Sequence, residues 1–249
     1  MWLSMVRNGR ESKQFVSGGI VIAFVGPEAT GKSTLVNETA ALLGESFAVT
    51  TAHLGMPPST WLTFLPNLTM PLLRKVAPQH RTSRVETDAG EQEAGRTSLL
   101  YALRSVLVAW DRRALAVKLR RKAANGVIVV CDRYPSAIVG AMDSARLRVV
   151  SDKGWRGKLL SGLARLENRL YRQIPPPDVV IRLTVPVEVA LERNRERQKK
   201  GKEGDAYVLR RHTTGAAPVF PMATTIELNS DQPQSQTTRR VREIVWSTL

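Results

Sequence analysis

The sequence predicts a single α/β domain of three layers, a parallel β-sheet with helices on both faces. Three observations predict it. Two apolar runs of strand length, residues 20–25 (IVIAFV) and 127–131 (VIVVC), lack an alternating polar face, as strands buried on both sides do. A long helical pattern over residues 99–125 lies between them, closed by Gly126 at a plausible C′ position. The first apolar run also opens directly into Gly26-Pro27-Glu28-Ala29-Thr30-Gly31-Lys32-Ser33, a G-x-x-x-x-G-K-[S/T] loop followed by a helical segment. Alternating strands and helices pack as a parallel sheet.

The elements follow in order. Residues 1–19 carry charge without a continuous apolar segment, so they read as an N-terminal extension and not as a signal peptide. The domain is expected over residues 20–249. After the first strand comes a helix over 34–43, with Leu35, Thr39 and Leu42 on one face, then a second strand over 47–53. Residues 56–78 are too rich in proline for more than short helical pieces and turns, and 78–96 read as a loop. Beyond the 127–131 strand, the spacing of Leu159, Leu163, Leu166 and Leu170 predicts a surface helix that buries this stripe opposite a basic face. Val179–Thr184 and residues 224–228 complete the strand set.

Bulk properties exclude several classes. No apolar run approaches the roughly 20 residues that span a bilayer. Cys131 is the only cysteine, which rules out an intramolecular disulfide and makes the cytoplasm the expected compartment. The formal net charge of +15 is concentrated in residues 146–172 and 193–211. Such charge suits small anionic molecules, nucleic acid or an anionic membrane surface. No RNA-recognition, zinc-finger or helix-turn-helix pattern accompanies it, so nucleic acid is the minority reading and peripheral membrane contact stays open. His53, His80 and His212 lack metal-ligand spacing and read as polar or core residues. Trp61 and Phe64 read as packing before acceptor wall.

The loop carries chemistry. Glycines at 26 and 31 permit a tight turn in which successive main-chain N–H groups converge on an anion at a helix N-terminus. Residues Gly26, Pro27, Glu28, Ala29, Thr30, Gly31, Lys32, Ser33 and Thr34 are therefore the candidate nucleotide-binding segment. Lys32 has the reach for β- and γ-phosphates, and the Ser33 hydroxyl suits Mg²⁺. Asp132 ends the 127–131 strand beside the loop and is the second candidate metal residue. Arg133 next to it could clamp a phosphate in bidentate fashion.

With these blocks in place, the chain resembles the thymidylate kinase family of P-loop kinases. GPEATGKST, VIVVCDRYPSA, PPDVVIRLTVPVEVALERNRERQ and the final IELNSD occur in that family's order, and Asp111-Arg112 precedes Asp132 at the family's spacing. The resemblance implies a P-loop kinase fold with an arginine-rich lid at about 193–212, ATP and Mg²⁺ as cofactors, and transfer of the γ-phosphate to a small anionic acceptor. It implies catalytic roles for Lys32, Asp132, Arg133, Arg193 and Arg197. Glu28, Arg112 and Arg133 would meet the acceptor, most simply a nucleoside monophosphate. The chain departs from the pattern at Val25, where the family has an acidic residue, and at Glu28, where it has Asp. It also departs at HLGMPPSTW, which lacks an Arg-Glu-Pro segment, and at Val108, where an aromatic would stack on thymine. A kinase acting on a nucleoside or sugar hydroxyl, and a P-loop NTPase or nucleotide-binding protein without kinase activity, remain alternatives. A homodimer stays open.

Overall fold

The computed structural model describes residues 2–7, 10–60, 63–64, 98–149, 154–196, 204–213 and 217–249. The 78–96 loop, Trp61, His80 and Arg197 lie outside the described residues. Two N-terminal strands, β1 (Trp2–Arg7) and β2 (Arg10–Phe15), form an antiparallel hairpin. Then follow β3 (Val21–Val25), α1 (Lys32–Gly44), β4 (Val49–His53), α2 (Leu99–Ala124), β5 (Ile128–Asp132) and α3 (Trp155–Arg172). The chain continues through β6 (Val179–Thr184), α4 (Val187–Glu196), α5 (Asp205–Thr213), β7 (Thr224–Asn229) and α6 (Gln234–Thr248).

Strands β3 to β7 form one sheet in the order β4-β5-β3-β6-β7, and every pairing is parallel. Strands β3 and β5 are buried at all five positions, as their unbroken apolar runs require. Because side chains alternate across a strand, the two faces collect different partners. Ile22, Phe24, Val130 and Ile181 meet Leu35 and Leu43 of α1 and Val241 and Ile244 of α6. Val21, Ala23, Val129 and Cys131 face Ala116, Leu119 and Ala123 of α2 instead. Helix α3 packs outside α2 through Leu160, Ala164, Leu170 and Tyr171 against Ala102, Val106 and Ala109. Among the described residues, no helix is long and apolar enough to cross a membrane.

The N-terminal extension is tied to the domain: Lys13 exchanges main-chain hydrogen bonds with Ser46 and Ala48, and Phe15 stacks on Phe47 at 5.4 Å between ring centroids. Gly126 has φ +86°, and a Cβ there would lie 2.2 Å from the Phe15 carbonyl oxygen, so only glycine fits beneath the hairpin. The leucine stripe of α3 is a correction. Leu170 is buried and Leu163 half-buried, but Leu159 and Leu166 are 46% and 44% exposed. The inward face is the neighbouring stripe of Leu160, Ala164, Glu167 and Tyr171. Small residues on α2 and α3 allow close approach along that stripe. The stripe is disguised in sequence because Glu167 hides its carboxylate by accepting the main-chain N–H groups of Arg146 and Leu147.

Candidate active site

The site forms at the carboxyl ends of β3 and β5, where β3 turns through the glycine loop into α1. Gly26 has φ +147°, and a Cβ there would lie 2.4 Å from the Leu183 carbonyl oxygen. Ala29 and Gly31 also take positive φ, 63° and 86°. Gly31 is the N-cap of α1, which has no side-chain cap and no acidic residue in its first turn. The first N–H groups of α1 and their partial positive charge are thus left for an anion.

Lys32 is buried, and its Nζ donates to the Pro27 carbonyl oxygen and to Thr30 Oγ1. Burial, aided by the Arg133 charge, lowers its pKa from 10.5 to about 8, against the opposing pull of Glu28, Asp132 and Asp143. A cation held this way gains most from a phosphate placed beside it.

The β3–β5 register sets Asp132 opposite Phe24, and the β4–β5 register sets it opposite His53. Ser33 Oγ donates to Asp132 Oδ2 at 2.5 Å. Asp132 Oδ1 is buried without a hydrogen-bond partner. A hard divalent cation or its water shell would satisfy that orphaned oxygen, and Ser33 and Asp132 are oxygen ligands of the right kind. Mg²⁺ takes few protein ligands, so the lack of a three-residue cluster of His, Cys, Asp or Glu among the described residues is compatible with it. Asp132→Asn is expected to raise the Mg²⁺ concentration for half-maximal turnover by about tenfold. Turnover unchanged at limiting Mg²⁺ would make Asp132 a structural residue.

Arg133 occupies the left-handed region, φ 65°, uncommon for a residue with a side chain. It bridges Glu28 Oε1 at 3.3 Å and Asp143 Oδ2 at 3.2 Å. Burial alone would lower its pKa, but Asp143 and Glu28 outweigh that and hold it firmly protonated. Asp143 is pushed up by burial and pulled further down by Arg112 and Arg133, so its carboxyl sits below the usual range. Glu28 is 4% exposed, and its Oε2 has no hydrogen-bond partner, with Arg211 Nε 3.9 Å away.

Arg112, expected at the acceptor, is held inside the protein. It is 3% exposed and donates to Leu54 O, Gly55 O, Asp143 O, Tyr171 Oη and Asp143 Oδ1. A guanidinium has five N–H groups, so none is left for an acceptor phosphate. The neighbouring Asp111 is likewise turned inward, accepting from Thr60 and Thr63 at the start of the proline-rich stretch.

The lid residues divide. Helix α5 lies on the glycine loop: Val208 packs with Ala29 and Ala190, and His212 Nε2 is 3.0 Å from the Glu28 carbonyl oxygen. Arg211 and His212 line a cleft of about 240 Å³ with Gly26, Pro27, Arg133 and Asp143. Arg193 instead donates to the Ser230 carbonyl oxygen at 2.9 Å. It lines a separate cleft with Thr30, Gly31, Thr34 and Gln232, beside the loop that follows β7. Among the described lid residues, Arg211 shares the cleft of Arg133 and Asp143 and comes within 3.9 Å of Glu28 Oε2, whereas Arg193 lines the other cleft. Arg193→Ala is accordingly expected to raise the apparent KM for ATP about tenfold with kcat little changed, an effect of uniform binding. A fall in kcat at constant KM would return Arg193 to the transfer step.

The fold brings Lys32, Ser33, Asp132, Arg133 and Glu28 together at the carboxyl ends of β3 and β5. Sequence reasoning misses Asp143, which lies in no motif and acquires its partners only through the fold. It also set aside His53, whose Nε2 lies 4.0 Å from Asp132 Oδ2, and His212. Their positions at a strand end and within the basic lid were the available signals.

A parallel sheet whose first buried strand enters a glycine loop, with a buried lysine and a paired serine and aspartate, defines a P-loop α/β protein. No family model matches the chain. Over 177 residues it is 30% identical to the thymidylate kinase of Thermomicrobium roseum, covering 70% of this chain and 67% of that protein. It is 29% identical over 179 residues to the uncharacterized ATP-binding protein YghR of Escherichia coli K12, covering 70% of this chain and 68% of the relative. Among solved structures, thymidylate kinase from Candida albicans aligns over 93% of this chain and 92% of its own, at 15% identity and a TM-score of 0.46. The chain belongs to the thymidylate kinase family, as a diverged member.

Proposed function

We propose that the protein is a phosphotransferase that moves the γ-phosphate of Mg-ATP to a small anionic acceptor, most simply a nucleoside monophosphate. The observation that carries this reading is the meeting of two sets of groups at one strand edge. The glycine loop with Lys32 and the Ser33–Asp132 pair suits a polyphosphate and its metal ion. Arg133, Glu28 and Arg211 lie directly beside them, with polar capacity unspent at Glu28. Water-splitting switches need a residue that orients a nucleophilic water, whereas transfer to a bound acceptor is mostly positioning and charge stabilisation. The family relationship and the ATP-binding relative support the same reading.

In this mechanism the loop N–H groups and Lys32 hold the β- and γ-phosphates. Ser33 and Asp132 would hold Mg²⁺, which neutralises phosphate charge when bound. Arg133, kept in place by Asp143 and Glu28, faces the charge that develops on the migrating group. Arg211 comes from α5 above the loop and closes the arrangement.

A specific observation favours a second reading, a hydroxyl acceptor. Arg112 is spent inside the protein, which removes one expected contact to an acceptor phosphate. Glu28 keeps a buried carboxylate oxygen with no hydrogen bond, as a group that accepts a hydroxyl proton would. An acceptor panel with Mg-ATP, read by mass, separates the two. Phosphorylation of nucleoside monophosphates with Glu28→Gln retaining some turnover supports the first. Phosphorylation of a neutral nucleoside or sugar, abolished by Glu28→Gln, establishes the second, and ATP binding without product on any acceptor rejects both.

A further inference from the structure

The outward face of α3 combines apolar bulk with unopposed positive charge. Trp155 is 74% exposed, with Leu159 and Leu166 at 46% and 44%. At about 100° per residue these three fall within roughly 40° of one another, on about 16 Å of helix. Val149, 57% exposed, sits in the segment leading to the helix. No described residue covers this stripe.

The cations flank it. Lys158, Arg165, Arg169 and Arg172 are exposed on one side and Arg156 on the other. The single carboxylate of the helix, Glu167, is 1% exposed and bound to main-chain N–H groups, so it cannot offset them. Ion pairs between described residues involve none of these five cations. The outer face of α3 therefore presents three large apolar side chains, five positive charges and no negative one.

That combination discriminates between occupants. A two-fold contact with a second copy would set the cations against themselves without a carboxylate on either side. Nucleic acid would meet the charges but leave Trp155 and the leucines in water. A bilayer surface with anionic headgroups satisfies both, with apolar side chains in the headgroup–acyl boundary and cations at the phosphates. We propose that α3 docks the protein onto an anionic lipid bilayer through Trp155, Leu159 and Leu166, held by the flanking arginines and lysine. This reading also explains why so much of the +15 charge lies in residues 146–172.

The test is flotation of the full chain with vesicles of phosphatidylcholine, with and without about 30 mol% phosphatidylglycerol. Binding to the anionic vesicles is expected at low ionic strength, with loss on neutral vesicles and at about 0.5 M salt. Each cation near the surface contributes about fivefold, so Arg165→Gln/Arg169→Gln should weaken partition about 25-fold. Leu159→Ser/Leu166→Ser should lower the melting temperature by only a few degrees and leave the protein folded by circular dichroism, since nearly half of each side chain already meets water, and should no longer float. Failure of the unmodified chain to bind anionic vesicles at low salt overturns the proposal, and so does binding that survives the leucine changes. A dimer that the leucine changes dissociate, without vesicle binding, assigns the face to a second copy. Retention of a duplex oligonucleotide without vesicle binding assigns it to nucleic acid. Either result also overturns the lipid proposal.

Discussion

Lys32→Met is expected to lower phosphoryl transfer by about 10³-fold or more while making the nucleotide-free protein more stable. The two effects have one cause. In the folded protein the buried ammonium loses its proton near pH 8, and in the unfolded chain near 10.5. Between those values the unfolded chain binds more protons, so stability rises with pH across that window. Below pH 8 the penalty for holding the charge is complete, about 3 kcal/mol at 1.36 kcal/mol per unit. Methionine fills much of the same volume without the charge. Its gain is reduced by the lost hydrogen bonds to Pro27 and Thr30. A net gain of about 1–2 kcal/mol corresponds to a few degrees in melting temperature. The wild-type protein should also gain stability between pH 8 and 10 relative to the Met variant, which lacks the titrating group. Thermal melts of both proteins at pH 7 and pH 9.5, without nucleotide or metal, check this. A variant that melts lower at pH 7, or keeps its activity, would show that Lys32 supports the loop instead of waiting for a phosphate.

The sequence made the fold legible where its signals were local. Unbroken apolar runs located β3 and β5, and the glycine loop located their shared edge, because a parallel strand buried on both faces cannot hide its composition. Ser33 and Asp132 were readable for the same reason: each stands at a fixed offset from a strand end. The remainder depended on contacts across the chain. Nothing near Asp143 announces that it receives Arg112 and Arg133 from two other elements. The α3 leucines had the right period but the wrong face, since a period fixes which residues share a stripe and leaves open which stripe is buried. The motifs assign Arg193 and Arg112 to phosphates, while their positions in the fold are set by the carbonyls and carboxylate they reach, Ser230 for one and Leu54, Gly55 and Asp143 for the other.

Arg112→Ala should therefore cost stability, about 3–5 kcal/mol, before it costs acceptor affinity. The substitution deletes five hydrogen bonds and leaves Asp143 deprived of one of two cations in a site where it is nearly inaccessible. Leu54, Gly55 and Tyr171 lose their shared donor, so the loop after β4 and the helix pair α2–α3 loosen together. Asp143→Ala should do comparable damage from the other end, because it strands Arg112 as a buried charge. The two groups form a coupled pair, so the double variant Arg112→Ala/Asp143→Ala should be less destabilised than the sum of the single changes, by about 1–3 kcal/mol. Asp143 is held below its usual pKa, so its contribution is present above about pH 4 and is lost as acid protonates it below that. The wild-type protein should thus lose stability more steeply in acid than either Asp143 variant. Urea unfolding of the four proteins at pH 7, repeated at low pH, measures the cycle. If Arg112→Ala unfolds like the wild type and only its acceptor KM rises, Arg112 is an acceptor residue after all and its five internal bonds are exchanged when substrate arrives.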